Sequence, residues 1–101
     1  MKILLTNKEV ERGEILRYLA EAYPGVATFP AIINYLDYSA YTMTKEDVEF
    51  HLEYLLGKGF IEVEEHPRIA GQPRKIRAVK ITPAGIDLLD RRAAGDSGVR
   101  F

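Results

Sequence analysis

Between Thr44 and Ile81 the spacing of apolar residues changes period, and this change constrains the fold more than any other feature of the chain. From Lys45 to Gly57, Val48, Leu52, Leu55 and Leu56 fall within about one third of a helical wheel. Thr44-Lys45-Glu46-Asp47 opens this segment as a loose capping box, with Asp at its third position, and Gly57-Lys58-Gly59 closes it with residues that tolerate left-handed backbone. Phe60 to Glu65 then alternates, with Ile61 and Val63 on one side and acids mostly on the other, as a half-buried strand does. Lys75 to Ile81 supplies a second strand in which Val79 and Ile81 share a face. His66 to Arg74, bounded by prolines and broken by glycine, is the loop between the two. A helix feeding directly into a hairpin implies an α+β body.

The remaining segments read as helices around that unit. Thr6-Asn7-Lys8-Glu9 matches a capping box and predicts a first helix, with Ile15, Leu19 and Ala22 on one face and Pro24-Gly25 at its end. A second, shorter helix begins near Pro30, after Thr28-Phe29, with Ile32, Ile33 and Leu36 inward. Ser39 to Met43 reads as a turn. Thr82-Pro83-Ala84-Gly85 opens a last helix that faces Ile86, Leu89 and Ala93 inward. Residues 1–93 are expected to form one domain, and 94–101, with two glycines and a serine, a flexible tail.

Composition narrows the chemistry. One core is well supplied by 101 residues that are 47% apolar. With no cysteine there is no disulfide, thiol nucleophile, thiolate zinc cage or iron–sulfur cluster. The apolar run Ile3-Leu4-Leu5 is far shorter than a secretory or membrane-spanning segment, so a cytoplasmic protein is expected. The net charge of −1 conceals polarity: residues 1–66 carry six basic and twelve acidic groups, whereas residues 67–81 carry five basic groups and no acid.

The order helix, helix, turn, helix, strand, loop, strand, helix matches the winged-helix arrangement. The run from Thr44 to Ile61 resembles the third helix and first wing strand of winged-helix regulators of the PadR and MarR kind. Ile81-Thr82-Pro83-Ala84-Gly85 is similar to the wing exit in those families, and the chain as a whole resembles small winged-helix proteins of Mu-like phages and prophages. The resemblance covers roughly residues 9–93 and implies a winged helix-turn-helix with a three-helix core, a two-stranded wing and a C-terminal helix. It also implies a DNA-binding transcription regulator acting as a dimer.

Catalytic material is thin. His51 and His66 lie in different elements without metal-ligand spacing, and Asp47 and His51, four apart, read as a surface hydrogen bond on one helix face. No phosphate-cradling glycine loop precedes a helix. The expectation is a binding protein, not an enzyme, with no cofactor and no metal.

Nucleic acid is the partner suggested by the hairpin. Arg68, Arg74, Lys75, Arg77 and Lys80 gather on it, with Lys45 at the start of the third helix, and phosphate contacts there would release condensed counterions. Two other readings stand beside this one: basic residues that block strand-edge pairing, and cross-strand pairs with Glu62, Glu64 and Glu65. The third helix points elsewhere. Lys45 to Lys58 holds two basic and four acidic residues, and its outward side presents Phe50 and Tyr54 among acids. That face lacks the Arg, Lys, Asn and Gln that read base edges, so contacts to DNA would be wing-led and weakly selective. It suits a protein interface, with Tyr38 and Tyr41 as further aromatic candidates, unless Phe50 and Tyr54 are covered by the chain's own termini. The alternative function is therefore a protein–protein interaction module without DNA binding.

Overall fold

A computed structural model describes residues 8–39, 43–67, 69–72, 75–90 and 98–99. Its elements are α1 (Lys8–Ala22), β1 (Ala27–Thr28), α2 (Phe29–Tyr38), α3 (Lys45–Gly57), β2 (Ile61–Glu65), β3 (Ile76–Ile81) and α4 (Pro83–Leu89). Four helices and a three-stranded antiparallel sheet of order β1-β3-β2 make an α+β architecture.

Local chemistry accounts for the starts of α2, α3 and α4. Thr28 caps α2 by accepting the Ala31 amide, and Pro30 occupies the first turn, where its missing donor is harmless. At α3 the capping box is closed in both directions, Thr44 Oγ1 accepting from the Asp47 amide and Asp47 Oδ2 from the Thr44 amide. Those bonds to the ionised carboxylate hold Asp47 below the usual Asp pKa. Thr82 caps α4 at the Gly85 amide and donates to the Gly59 carbonyl at 2.7 Å, so one side chain joins the end of α3 to the start of α4. Gly59 sits at φ 81°, the left-handed conformation that turns the chain from α3 into β2. The first half of the capping box expected at Thr6 lies outside the described residues.

The core forms where α1 lies against α2, α3, α4 and β3. Ile15, Leu16 and Leu19 of α1 meet Ile32 and Leu36 of α2, Val48, Leu52 and Leu55 of α3, and Val79 and Ile81 of β3. Tyr18 and Tyr35 stack with ring centroids 4.4 Å apart and brace α1 on α2. Burial raises the Tyr35 phenol above its ordinary value.

Three details depart from the sequence reading. The hairpin is not isolated, because β1 pairs with the far edge of β3, Ala27 opposite Val79 and Thr28 opposite Ala78. In α4 Ile86 and Leu89 are half-buried and pack against the core, as expected, but the fully buried residues are Gly85 and Leu88, which the predicted stripe did not include. Val99, within the stretch expected to form a loose tail, is buried at 7% exposure and belongs to the core cluster. The expected inward position of Ala93 lies outside the described residues.

Candidate functional site

The β2–β3 hairpin carries most of the basic residues singled out above, and the ladder separates them. Glu62 stands opposite Lys80 and Glu64 opposite Ala78, after which a bulge sets Glu65 opposite Ile76 and leaves Arg77 as the extra residue on β3. Arg77 forms an ion pair with Glu64, both half-exposed. Lys80 lies 5.8 Å from the centroid of the Tyr23 ring, beside a trough of about 260 Å³ that is also lined by Glu62, Glu64 and Val26. These two cations therefore have intramolecular acids beside them, as one sequence reading anticipated. Arg68 and Arg74 lie outside the described residues, as does Tyr41.

Lys45 and Lys75, 30 positions apart in the chain, come to one place. They line a groove of about 190 Å³ with Phe29, Pro30, Glu49, His66 and Ile76, where the first turns of α2 and α3 meet the root of the hairpin. Lys45 lies 5.9 Å from the Phe29 ring centroid, and the His66 amide donates to the Lys75 carbonyl at 2.9 Å, joining the two hairpin limbs at the groove wall. The first turn of α2 contains no acid, and the positive end of its dipole lies at this groove, which Phe29 and Pro30 line. Among the described residues that line the groove, Glu49 is the one acid. Such a surface can hold an anionic oxygen between two ammonium groups on a floor of Phe29 and Ile76. From the sequence His66 reads as catalytic or metal-ligating material without a partner; its place at the groove follows from the hairpin, whose limbs its amide joins at Lys75.

The outer side of α3 is acidic and aromatic. Glu46, Asp47 and Glu53 are exposed, and Phe50 is 53% exposed, so its ring is not part of the core. The two aromatics differ. Phe50 has Lys8 4.8 Å from its ring centroid and Arg12 at 5.6 Å, whereas Tyr54 is half-buried with the Arg12 guanidinium 3.8 Å above it. Gly98 lies against the Tyr54 hydroxyl, with no room for a Cβ between them, so the chain's own C-terminal region covers Tyr54 in part. Tyr38 is 92% exposed at the end of α2, whereas Tyr35 stacks on Tyr18.

His51 is where the structure most clearly corrects the sequence reading. It is not on the surface beside Asp47 but 1% exposed, between α1 and α3. Arg12 Nε donates to His51 Nδ1 at 3.2 Å, and His51 Nε2 meets Glu11 Oε1 at 2.7 Å. An arginine N–H can only donate, so Nδ1 is the acceptor and the ring proton resides on Nε2, pointing at Glu11. Burial lowers the imidazole below the ordinary histidine value; the Arg12 charge adds to this, and Glu11 and Asp47 oppose it. Arg12, 7% exposed, also donates from Nη1 to the Gly98 carbonyl at 3.1 Å. A signal for both residues exists on the wheel: His51 is three positions after Val48 and four before Leu55, and Arg12 is four before Leu16.

Among the described residues no three His, Cys, Asp or Glu side chains are grouped to hold a metal ion. Nor is any helix there long and apolar enough to cross a membrane. No protein-family model matches the chain, and no curated protein matches it in sequence.

Proposed function

We propose that the chain is a cytoplasmic winged-helix DNA-binding protein of the transcription-regulator type. In this reading it holds the phosphate backbone at the groove between α2, α3 and the hairpin and reads base sequence weakly. The observation that carries the reading is the convergence of Lys45 and Lys75 on that groove, beside the acid-free first turn of α2. The element order supports it: α2 and α3 stand as the helix-turn-helix, β2 and β3 as the wing, and β1 as the short strand that completes the sheet. Phosphate binding needs positive groups at fixed spacing and no base-reading side chains. Weak selectivity follows from the outer side of α3, where Glu46, Glu49, Phe50 and Glu53 take the places that Arg, Asn or Gln would need to reach base edges. Arg77, paired with Glu64, contributes less to phosphate contact than Lys75. The role is one of binding, not catalysis.

A second reading, a protein–protein interaction module without DNA binding, is favoured by one observation. Phe50 stands half-exposed on an acidic helix face, the composition of an interface anchor and its rim. Titration of the full chain with mixed-sequence duplex DNA at two salt concentrations separates the two. The DNA reading expects binding that weakens with salt and a shallower salt slope after Lys45→Ala and Lys75→Ala; no binding at low salt would leave the interaction reading.

A further inference from the structure

We infer that the Arg12–His51 pair is a proton-operated latch that holds the Gly98–Val99 segment against α1 and α3. Two features help to anchor Gly98 and Val99. Val99 fills a position in the core cluster, and the Gly98 carbonyl accepts Arg12 Nη1 at 3.1 Å. Glycine is required at the second of these, because a Cβ there would run into the Tyr54 ring. The Arg12 guanidinium is itself held by the His51 Nδ1 lone pair at 3.2 Å and by the face of Tyr54 at 3.8 Å. One imidazole lone pair thus fixes the group that fixes the C-terminal segment.

Protonation removes that lone pair. His51 already carries a proton on Nε2, directed at Glu11, so a proton taken from solvent goes to Nδ1 and converts the acceptor into a second donor. An N–H then faces the N–H of a permanent cation in a buried site, the hydrogen bond is lost and two positive charges adjoin. Arg12 is displaced from the ring, and the Gly98 carbonyl and the Tyr54 face lose its contact together. Among the described residues the charges that act on His51 are Glu11 and Arg12 from α1 and Asp47 from α3 itself, with Lys8 of α1 acting on Asp47; Gly98 and Val99 bring no titratable side chain. Glu11 and Asp47 stabilise the imidazolium, and burial with Arg12 opposes it, the net balance favouring the neutral ring.

The sign follows. The docked segment requires neutral His51, so docking is complete above the ordinary histidine value near 6.5 and is lost as pH falls through the lower value of the docked state. Across that window the docking equilibrium weakens by up to about tenfold per pH unit. Release uncovers the part of Tyr54 that Gly98 covers and the position in the core cluster that Val99 fills. The device stands apart from the groove and does not depend on DNA binding.

The test is an NMR titration of the full-length, isotope-labelled chain from pH 7.5 to about 4.5, following the His51 ring proton, the Val99 methyls and, as a control for the core, the Val48 methyls. The expected result is that Val99 moves to an unfolded-like position with the midpoint of His51, below 6.5, while Val48 stays native. In Arg12→Met, Val99 is expected undocked already at pH 7.5. In His51→Asn, which keeps an acceptor and loses the titration, it is expected docked throughout. Val99 remaining in place while His51 titrates, or leaving only when Val48 does, overturns the latch on the wild-type chain alone. A Val99 step that persists in His51→Asn does the same.

Discussion

Replacing Arg12 with methionine keeps the aliphatic stem in its place between α1 and α3 and removes the five donors and the charge. Three losses follow from the geometry. His51 Nδ1 is left buried without a donor, at about 2 kcal/mol, and the half-buried Gly98 carbonyl loses its bond, at about 1 kcal/mol. The Tyr54 face loses a cation at stacking distance, at about 1 kcal/mol. Relief of the guanidinium's desolvation offsets roughly half of this, because a buried ion returns several kcal/mol when it is removed. The net expectation is a loss of about 2 kcal/mol, read as a shorter urea midpoint and a melting temperature lower by about 8–16 °C. His51 reports independently. With Arg12 gone, one of the two influences that depress its pKa disappears, so its midpoint rises toward, without reaching, the ordinary value, since burial remains. A stability change below about 0.5 kcal/mol together with an unmoved His51 midpoint would show that the guanidinium is not seated on the ring, and the network reasoning would fail.

Further outcomes are expected elsewhere in the fold. Global stability falls as pH drops from 6.5 through the depressed pKa of His51, since the folded state prefers the neutral ring; urea melts at pH 7.5 and 5.5 check this, and equal midpoints would contradict it. Gly85→Ala drives a methyl into the Phe60 carbonyl and to 2.7 Å from Ile81 Cγ1, so α4 must shift and stability falls by about 2 kcal/mol or more; a neutral substitution would mean that α4 is not seated there. Phe50→Asp changes stability by less than about 1 kcal/mol, because the ring is 53% exposed, and circular dichroism should show an intact fold; unfolding would return Phe50 to the core.

How far the sequence could be read depends on which forces set each feature. The boundaries of α3 are local matters, fixed by Thr44, Asp47 and the glycines after Leu56, and they are legible in a window of about a dozen residues. The hairpin is equally legible from its alternation. β1 is not, because two residues cannot establish a period, and Ala27 and Thr28 become a strand only through pairing with β3. The groove could not be read either: Lys45 and Lys75 stand out as basic residues, but their meeting depends on the tertiary docking of α3 against the hairpin root. The spacing of Asp47 and His51, four apart, suggests a surface hydrogen bond, because local spacing carries no sign of Arg12. Both His51 and Arg12 are buried here because each partners the other across 39 positions of the chain, with Glu11 at the second His51 nitrogen and the Gly98 carbonyl at Arg12. The wheel position alone would have raised the question, since an ionisable residue in an apolar stripe must find a partner.

The central claim is that Lys45 and Lys75 act together on nucleic-acid phosphate. Its most direct test is the binding of a fluorescent mixed-sequence duplex to the wild-type chain and to the Lys45→Ala/Lys75→Ala chain, across salt from about 50 to 200 mM. Binding that falls with salt, and a slope of log affinity against log salt smaller by about 1.8 in the double variant, is the predicted result. The same slope for both chains, or no binding by the wild-type chain at the lowest salt, would contradict it.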